Sequence, residues 1–89
     1  MISNRFLVTG GAGFIGSAVC RLLIEQGHFV VCYDKLTYAG NMNSLRDIVD
    51  NERFVFVHGD IGNENLVAAT LNKYNINICM NLAAESHVD

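Results

Sequence analysis

The chain has 89 residues, room for one small domain and no more. Six basic and nine acidic residues give a net charge of −3, which excludes the basic footprint of a nucleic-acid binder or of a protein drawn to an anionic membrane. Apolar residues make up 51% of the chain at a mean hydropathy of +0.24, more than a small free-standing domain needs unless its strands are covered on both faces, as in a parallel sheet.

The first predicted element is the strand R-F-L-V-T at 5–9, and a glycine cluster follows it. A helix is expected over 14–26, with Ile15, Ala18, Val19, Leu22 and Leu23 as the apolar stripe at i, i+3, i+4, i+7 and i+8. Gly27 stands where a helix C-terminal glycine belongs. F-V-V-C-Y at 29–33 is a second strand, rich in β-branched and aromatic residues. A polar, Gly-containing loop over 35–41 leads to a short helix expected at 43–49, with Leu45, Ile48 and Val49 on one side. F-V-F-V-H at 54–58 is the third strand, and 59–62 a turn. Asn63 is the expected N-cap of a helix running to Tyr74, with Val67, Leu71 and Tyr74 inward. A fourth strand is expected over 76–82.

Strands alternating with helices imply a parallel sheet joined by right-handed crossovers. The fold class expected is α/β, with four strands in the doubly wound order 3-2-1-4 and flanking helices. The apolar runs are short and broken, so no membrane partner is expected. No export signal is read at the N-terminus, which places the protein in the cytoplasm. Cys20, Cys32 and Cys79 are odd in number and lack C-x-x-C spacing. They argue against a disulfide framework or a metal site and read as small buried hydrophobes.

The strongest local signal is T-G-G-A-G-F-I-G at 9–16. It holds G-x-G-x-x-G as Gly11, Gly13 and Gly16, and G-x-x-G-x-x-G as Gly10, Gly13 and Gly16. A strand that turns sharply into a helix needs backbone angles only glycine adopts freely. A pyrophosphate needs close backbone approach and the free N–H groups of a helix N-terminus. The motif follows an expected strand and opens an expected helix, the context in which it signals a dinucleotide rather than a simple turn. Asp34 closes the second strand 18 residues beyond Gly16, near the spacing of a carboxylate that accepts from the adenosine ribose hydroxyls and repels a 2′-phosphate. That predicts NAD over NADP, with the adjacent Lys35 as a partial offset.

T-G-x-x-G-x-x-G at 9–16 is similar to the extended short-chain dehydrogenase/reductases, whose cofactor domain is Rossmann-type. D-K-L-T-Y-A-G-N at 34–41, H-G-D-I at 58–61 and N-L-A-A-E-S-H-V-D at 81–89 resemble the dTDP-glucose 4,6-dehydratase family within that group. The resemblance covers the whole chain but only the first quarter or so of the family's usual length. Residues 1–89 would then be the front part of the NAD-binding domain, with the catalytic strands and the sugar-nucleotide domain beyond.

The resemblance implies roles residue by residue. Beside Gly10, Gly13 and Gly16, the backbone of Phe14 and Ile15 would meet the pyrophosphate. Asp34, Lys35, Leu36 and Thr37 would form the adenosine side. Asp60 and Ile61 would flank the adenine, Asp60 on its amino group; a plain turn aspartate is the other reading. Leu82, Ala83, Ala84, Glu85 and Ser86 would run under the cofactor, Ala83 and Ala84 being small enough for a flat ring or simply for packing. Ser86 and His87 would approach the sugar nucleotide, dTDP-glucose, His87 being open between that and a structural role. His28 is expected at the surface and His58 as a structural strand-end residue.

The family's reaction takes hydride to NAD, eliminates water and returns the hydride, and it needs a Tyr base tuned by a Lys four residues later. Tyr33, Tyr38 and Tyr74 are followed at that spacing by Thr37, Met42 and Ile78. No catalytic residue is therefore assigned, and the 89 residues alone are expected to give no turnover. A stand-alone NAD-binding module, or part of a sugar-nucleotide epimerase, are the other readings. An uncovered edge at the fourth strand predicts association of copies.

Overall fold

The computed structural model describes residues 3–10, 14–35 and 45–82. Four strands form one parallel sheet: β1 (Arg5–Thr9), β2 (Phe29–Asp34), β3 (Phe54–His58) and β4 (Ile78–Asn81). Their order is β3-β2-β1-β4, the one expected from the alternation of elements. Leu7 pairs with Val31 on one side and Cys79 on the other, and Val31 pairs with Val55.

Side chains alternate across a strand, so the sheet has two apolar faces. Phe6, Val8, Val30, Cys32 and Phe54 point to one, where Cys20, Leu23 and Ile24 of α1 (Phe14–Glu25) meet Leu45 and Ile48. Leu7, Val31 and Tyr33 point to the other, under Leu66, Val67, Leu71 and Tyr74 from α2 (Glu64–Lys73) and its end. Four consecutive β2 residues, Val30 to Tyr33, are buried, which explains the continuous apolar run of this strand.

Both helices end in the same way. The His28 amide reaches Leu23 O and the Gly27 amide Ile24 O, with Gly27 at φ 92°. After α2, the Ile76 amide reaches Leu71 O and the Asn75 amide Asn72 O, with Asn75 at φ 53°. These paired bonds satisfy last-turn carbonyls that would otherwise be orphaned. At the other end of α2 the Asn63 side chain accepts from the Leu66 amide at 3.1 Å, as its capping role predicts.

Four expectations are corrected. The buried face of α1 is Gly16, Ser17, Cys20, Leu23 and Ile24, whereas Ile15 and Leu22 are 67% and 52% exposed and Ala18 is exposed. The helix is apolar almost all round, and the face that fits the sheet is the one with small residues, which a hydrophobicity stripe scores low. Of the helix expected at 43–49, the described part is a run of turns, with Ile48 N on Leu45 O and Asn51 N on Ile48 O. Leu45 and Ile48 are buried, but Val49 is 39% exposed; three-residue turns align i with i+3, not with i+4. Arg21 clamps this segment through Asp47 at 2.7 Å. Cys79 is exposed, because it faces the α2 side on β4, at the end of the sheet away from β3. His28 is half-buried, its Nδ1 accepting from the Asn4 amide at 3.0 Å and its ring edge-on to Phe6.

No helix among the described residues is long and apolar enough to cross a membrane.

Candidate functional site

All four strands run the same way, so their carboxyl ends lie along one edge of the sheet. Thr9 stands in register with Tyr33 and Asn81, and Asp34 with His58. The residues that leave these ends are tied to the neighbouring strand by backbone bonds. Gly10 N reaches Tyr33 O at 2.9 Å, Gly59 N reaches Asp34 O at 3.0 Å, and Leu82 N reaches Thr9 O at 2.9 Å. Gly10, Asp34, Asp60 and Leu82, singled out from sequence alone, are thus brought to one edge.

Gly10 turns the chain out of β1 at φ 74°, a left-handed conformation that costs a side-chain-bearing residue about 1–2 kcal/mol. Phe14 opens α1 a few residues later, Ile15 follows it with its side chain in solvent, and Gly16 is buried within the first turn. No acidic residue occupies that first turn, so the N-terminal amides face no carboxylate of their own helix there. A helix start without a carboxylate of its own suits an anion.

The ends of β2 and β3 are joined by side chains as well as backbone. The buried Tyr33 hydroxyl donates to Asp60 O at 2.8 Å. The exposed His58 ring places Nε2 2.6 Å from Lys35 O. Lys35 Nζ lies 3.7 Å from Asp60 Oδ2, and Asp60 Oδ1 accepts from the Gly62 amide at 2.9 Å. The Gly62 amide, and then the Lys35 charge, hold the Asp60 carboxyl below the ordinary aspartate value. Burial, with the nearby Asp60 charge, pushes the Tyr33 hydroxyl up, so it stays a donor at neutral pH. Ile61 stands exposed beside Asp60.

Gly59 sits where this corner is tightest. A Cβ there would lie 2.7 Å from Tyr33 Oη and from Leu66 Cδ2. Tyr33 is packed on all sides, so it has no free volume to yield. We expect Gly59→Ala to lower the unfolding free energy by about 1–3 kcal/mol, read from the urea midpoint. An unchanged midpoint would mean that the corner is loose.

At the other side of β1, Thr9 donates from Oγ1 to Asn81 Oδ1 at 2.6 Å, linking the ends of β1 and β4. Leu82 packs its side chain against the α1-side core. Gly11, Gly13, Leu36, Thr37, Ala83, Ala84, Glu85, Ser86 and His87 lie outside the described residues. Tyr33, His58, Gly59 and the Thr9–Asn81 pair were not assigned to the site by sequence reasoning. The one available signal was period two, which puts Tyr33 on the face that meets the turn after β3.

The edge therefore combines an anion-receptive helix start at β1 with carboxylate acceptors at β2 and β3. That donor and acceptor set fits a dinucleotide lying across the strand ends, phosphates at β1 and adenosine toward β3.

Comparison with known proteins places this arrangement. The family described as GDP-mannose 4,6 dehydratase matches residues 7–89. The dTDP-glucose 4,6-dehydratase 1 of Escherichia coli K12 is 54% identical over 86 residues, which are 96% of this chain and 24% of that protein. The chain thus spans about a quarter of the length of such curated relatives. The crystal structure of the Bacillus anthracis dTDP-glucose 4,6-dehydratase, in complex with NAD, superposes with a TM-score of 0.87 at 36% identity, covering 93% of this chain and 27% of that one. The Streptomyces venezuelae dTDP-glucose 4,6-dehydratase, also with NAD bound, gives 0.82 at 44% identity, covering 96% and 28%. With its sheet order, its Gly10 turn and the match over 7–89, the chain belongs to the GDP-mannose 4,6 dehydratase family.

Proposed function

We propose that the chain is the NAD-binding segment of a dTDP-glucose 4,6-dehydratase, an enzyme that converts dTDP-glucose to its 4-keto-6-deoxy form by internal hydride transfer and loss of water. The observation that carries this reading is the placement of Gly10, Asp34 and Asp60 at three neighbouring strand ends. The relatives crystallised with NAD support the identity of the cofactor. NAD, when bound, supplies the hydride acceptor; the residues of this chain bind and orient it.

Gly10, Gly13, Phe14, Ile15 and Gly16 receive the pyrophosphate. Asp34 takes the adenosine ribose, Lys35, Leu36 and Thr37 complete the adenosine-side loop, and Asp60 with Ile61 takes the adenine. Leu82, Ala83, Ala84, Glu85 and Ser86 contact the cofactor, and Ser86 with His87 contacts the sugar nucleotide. Elimination needs a base and an acid, and these 89 residues hold no Y-x-x-x-K pair, so they supply cofactor binding and not the lyase chemistry. Copies associate through the outer edge of β4, which has no partner strand among the described residues. The reading places the protein in the cytoplasm, where nucleotide sugars are made.

The test is calorimetric titration of the chain with NAD and NADP. One-site binding of NAD with weaker binding of NADP is expected. Absence of NAD binding by a chain folded by circular dichroism would reject the reading.

A further inference from the structure

Asp34 and Lys35 are neighbours at the end of β2 and make opposite demands on a dinucleotide. The carboxylate accepts from ribose hydroxyls and repels a 2′-phosphate, whereas a basic side chain at this place accommodates that phosphate. Adjacency in sequence leaves the balance open. The structure gives Lys35 another partner, with Nζ 3.7 Å from Asp60 Oδ2 across the gap between the β2 end and the turn after β3.

Asp60 is the stationary member of that pair. Its Oδ1 accepts from the Gly62 amide, and its backbone carbonyl accepts from the buried Tyr33 hydroxyl. The Lys35 backbone is held toward β3 as well, through its carbonyl and the His58 ring. When a flexible ammonium pairs with a carboxylate whose position is already fixed, only one side chain loses rotamer freedom.

We propose that Asp60 is a specificity-determining residue for the dinucleotide: its carboxylate holds Lys35 away from the adenosine ribose, so that Asp34 governs that position and a 2′-phosphate is rejected. This rests on the NAD reading and adds to it a cause for the choice between NAD and NADP. The pair is exposed, so its effect is modest, about fivefold at most, and a double substitution is needed to isolate it.

The experiment measures dissociation constants of NAD and NADP for the unsubstituted chain, Asp60→Asn, and Asp60→Asn with Lys35→Met. Asparagine keeps an acceptor for the Gly62 amide. The ratio of the two constants cancels any contact of Asp60 with the adenine, which both dinucleotides share. The preference for NAD should fall about fivefold in Asp60→Asn and return to the starting value in the double variant. An unchanged ratio in Asp60→Asn, with NAD still bound, overturns the proposal and leaves the NAD reading intact. An equal fall in both variants also overturns it, because loss of one negative charge would then suffice without Lys35. Failure of the unsubstituted chain to bind NAD overturns the NAD reading and the proposal together. The pair is also read without any dinucleotide: in Lys35→Met the Asp60 carboxyl, followed by 13C NMR, should titrate at higher pH than before. No change there means that the pair does not form, and overturns the proposal even if Asp60→Asn binds neither dinucleotide.

Discussion

Leu7→Ala should lower the unfolding free energy by about 2–5 kcal/mol. Leu7 is fully buried in the middle of β1, paired with Val31 of β2 and Cys79 of β4. With Val31 and Tyr33 it forms the floor on which α2 packs. Truncation removes buried methyl groups and leaves a cavity that rigid strand backbones on either side cannot close. A domain of this size has a total stability of roughly 5–13 kcal/mol, and small domains sit toward the lower end. The substitution should therefore put a substantial part of the population into the unfolded state in mild urea. The measurement is a urea titration followed by far-ultraviolet circular dichroism, with Leu7→Met as the volume-conserving control expected to cost less than about 1.5 kcal/mol. A loss below about 1 kcal/mol for Leu7→Ala would mean that the α2 face of the sheet is not a packed core.

Asp34→Ala should weaken NAD binding by about 10–100-fold, the scale of hydrogen bonds to a charged acceptor. NADP binding should weaken far less, because alanine also removes the repulsion of the 2′-phosphate, so the two affinities should converge. The strand end should keep its backbone frame. Asp34 is held by backbone, accepting from the Gly59 amide through its carbonyl at 3.0 Å, and its side chain is not part of either apolar cluster. Calorimetry with both dinucleotides checks the prediction, and an unfolding curve matching that of the unsubstituted chain checks that a binding residue, not a structural one, was removed. Equal weakening of NAD and NADP would place the adenosine ribose elsewhere.

The parts of this structure that could be read from sequence are those where one residue type answers one local demand. The strands at 5–9, 29–34 and 54–58 were legible because a parallel strand covered on both faces is apolar without interruption. The placement of Asp34 and Asp60 along one edge was legible because the carboxyl ends of parallel strands lie side by side. The rotation of α1 was not legible, since Gly16, Ser17 and Cys20 are chosen for close approach rather than for hydrophobicity. The segment at 45–50 has apolar residues at a spacing that suits a helix or a string of turns equally. Tyr33, His58 and Gly59 were missed for a different reason. Their roles are contacts between segments about 25 residues apart, and those exist only once the register of β2 against β3 is known.

The two neighbours of β1 differ in a way that reaches beyond the static fold. β2 follows β1 after a separation of about 24 residues, whereas the Thr9–Asn81 link that closes the other side spans 72. Closing the longer loop costs more chain entropy, and the shorter strand β4 returns fewer bonds for it. Assembly should therefore proceed from the β1–β2–β3 ribbon outward, with β4 last to dock and first to detach. Its amide hydrogens should exchange with deuterium sooner than those of β2, which require the whole molecule to open.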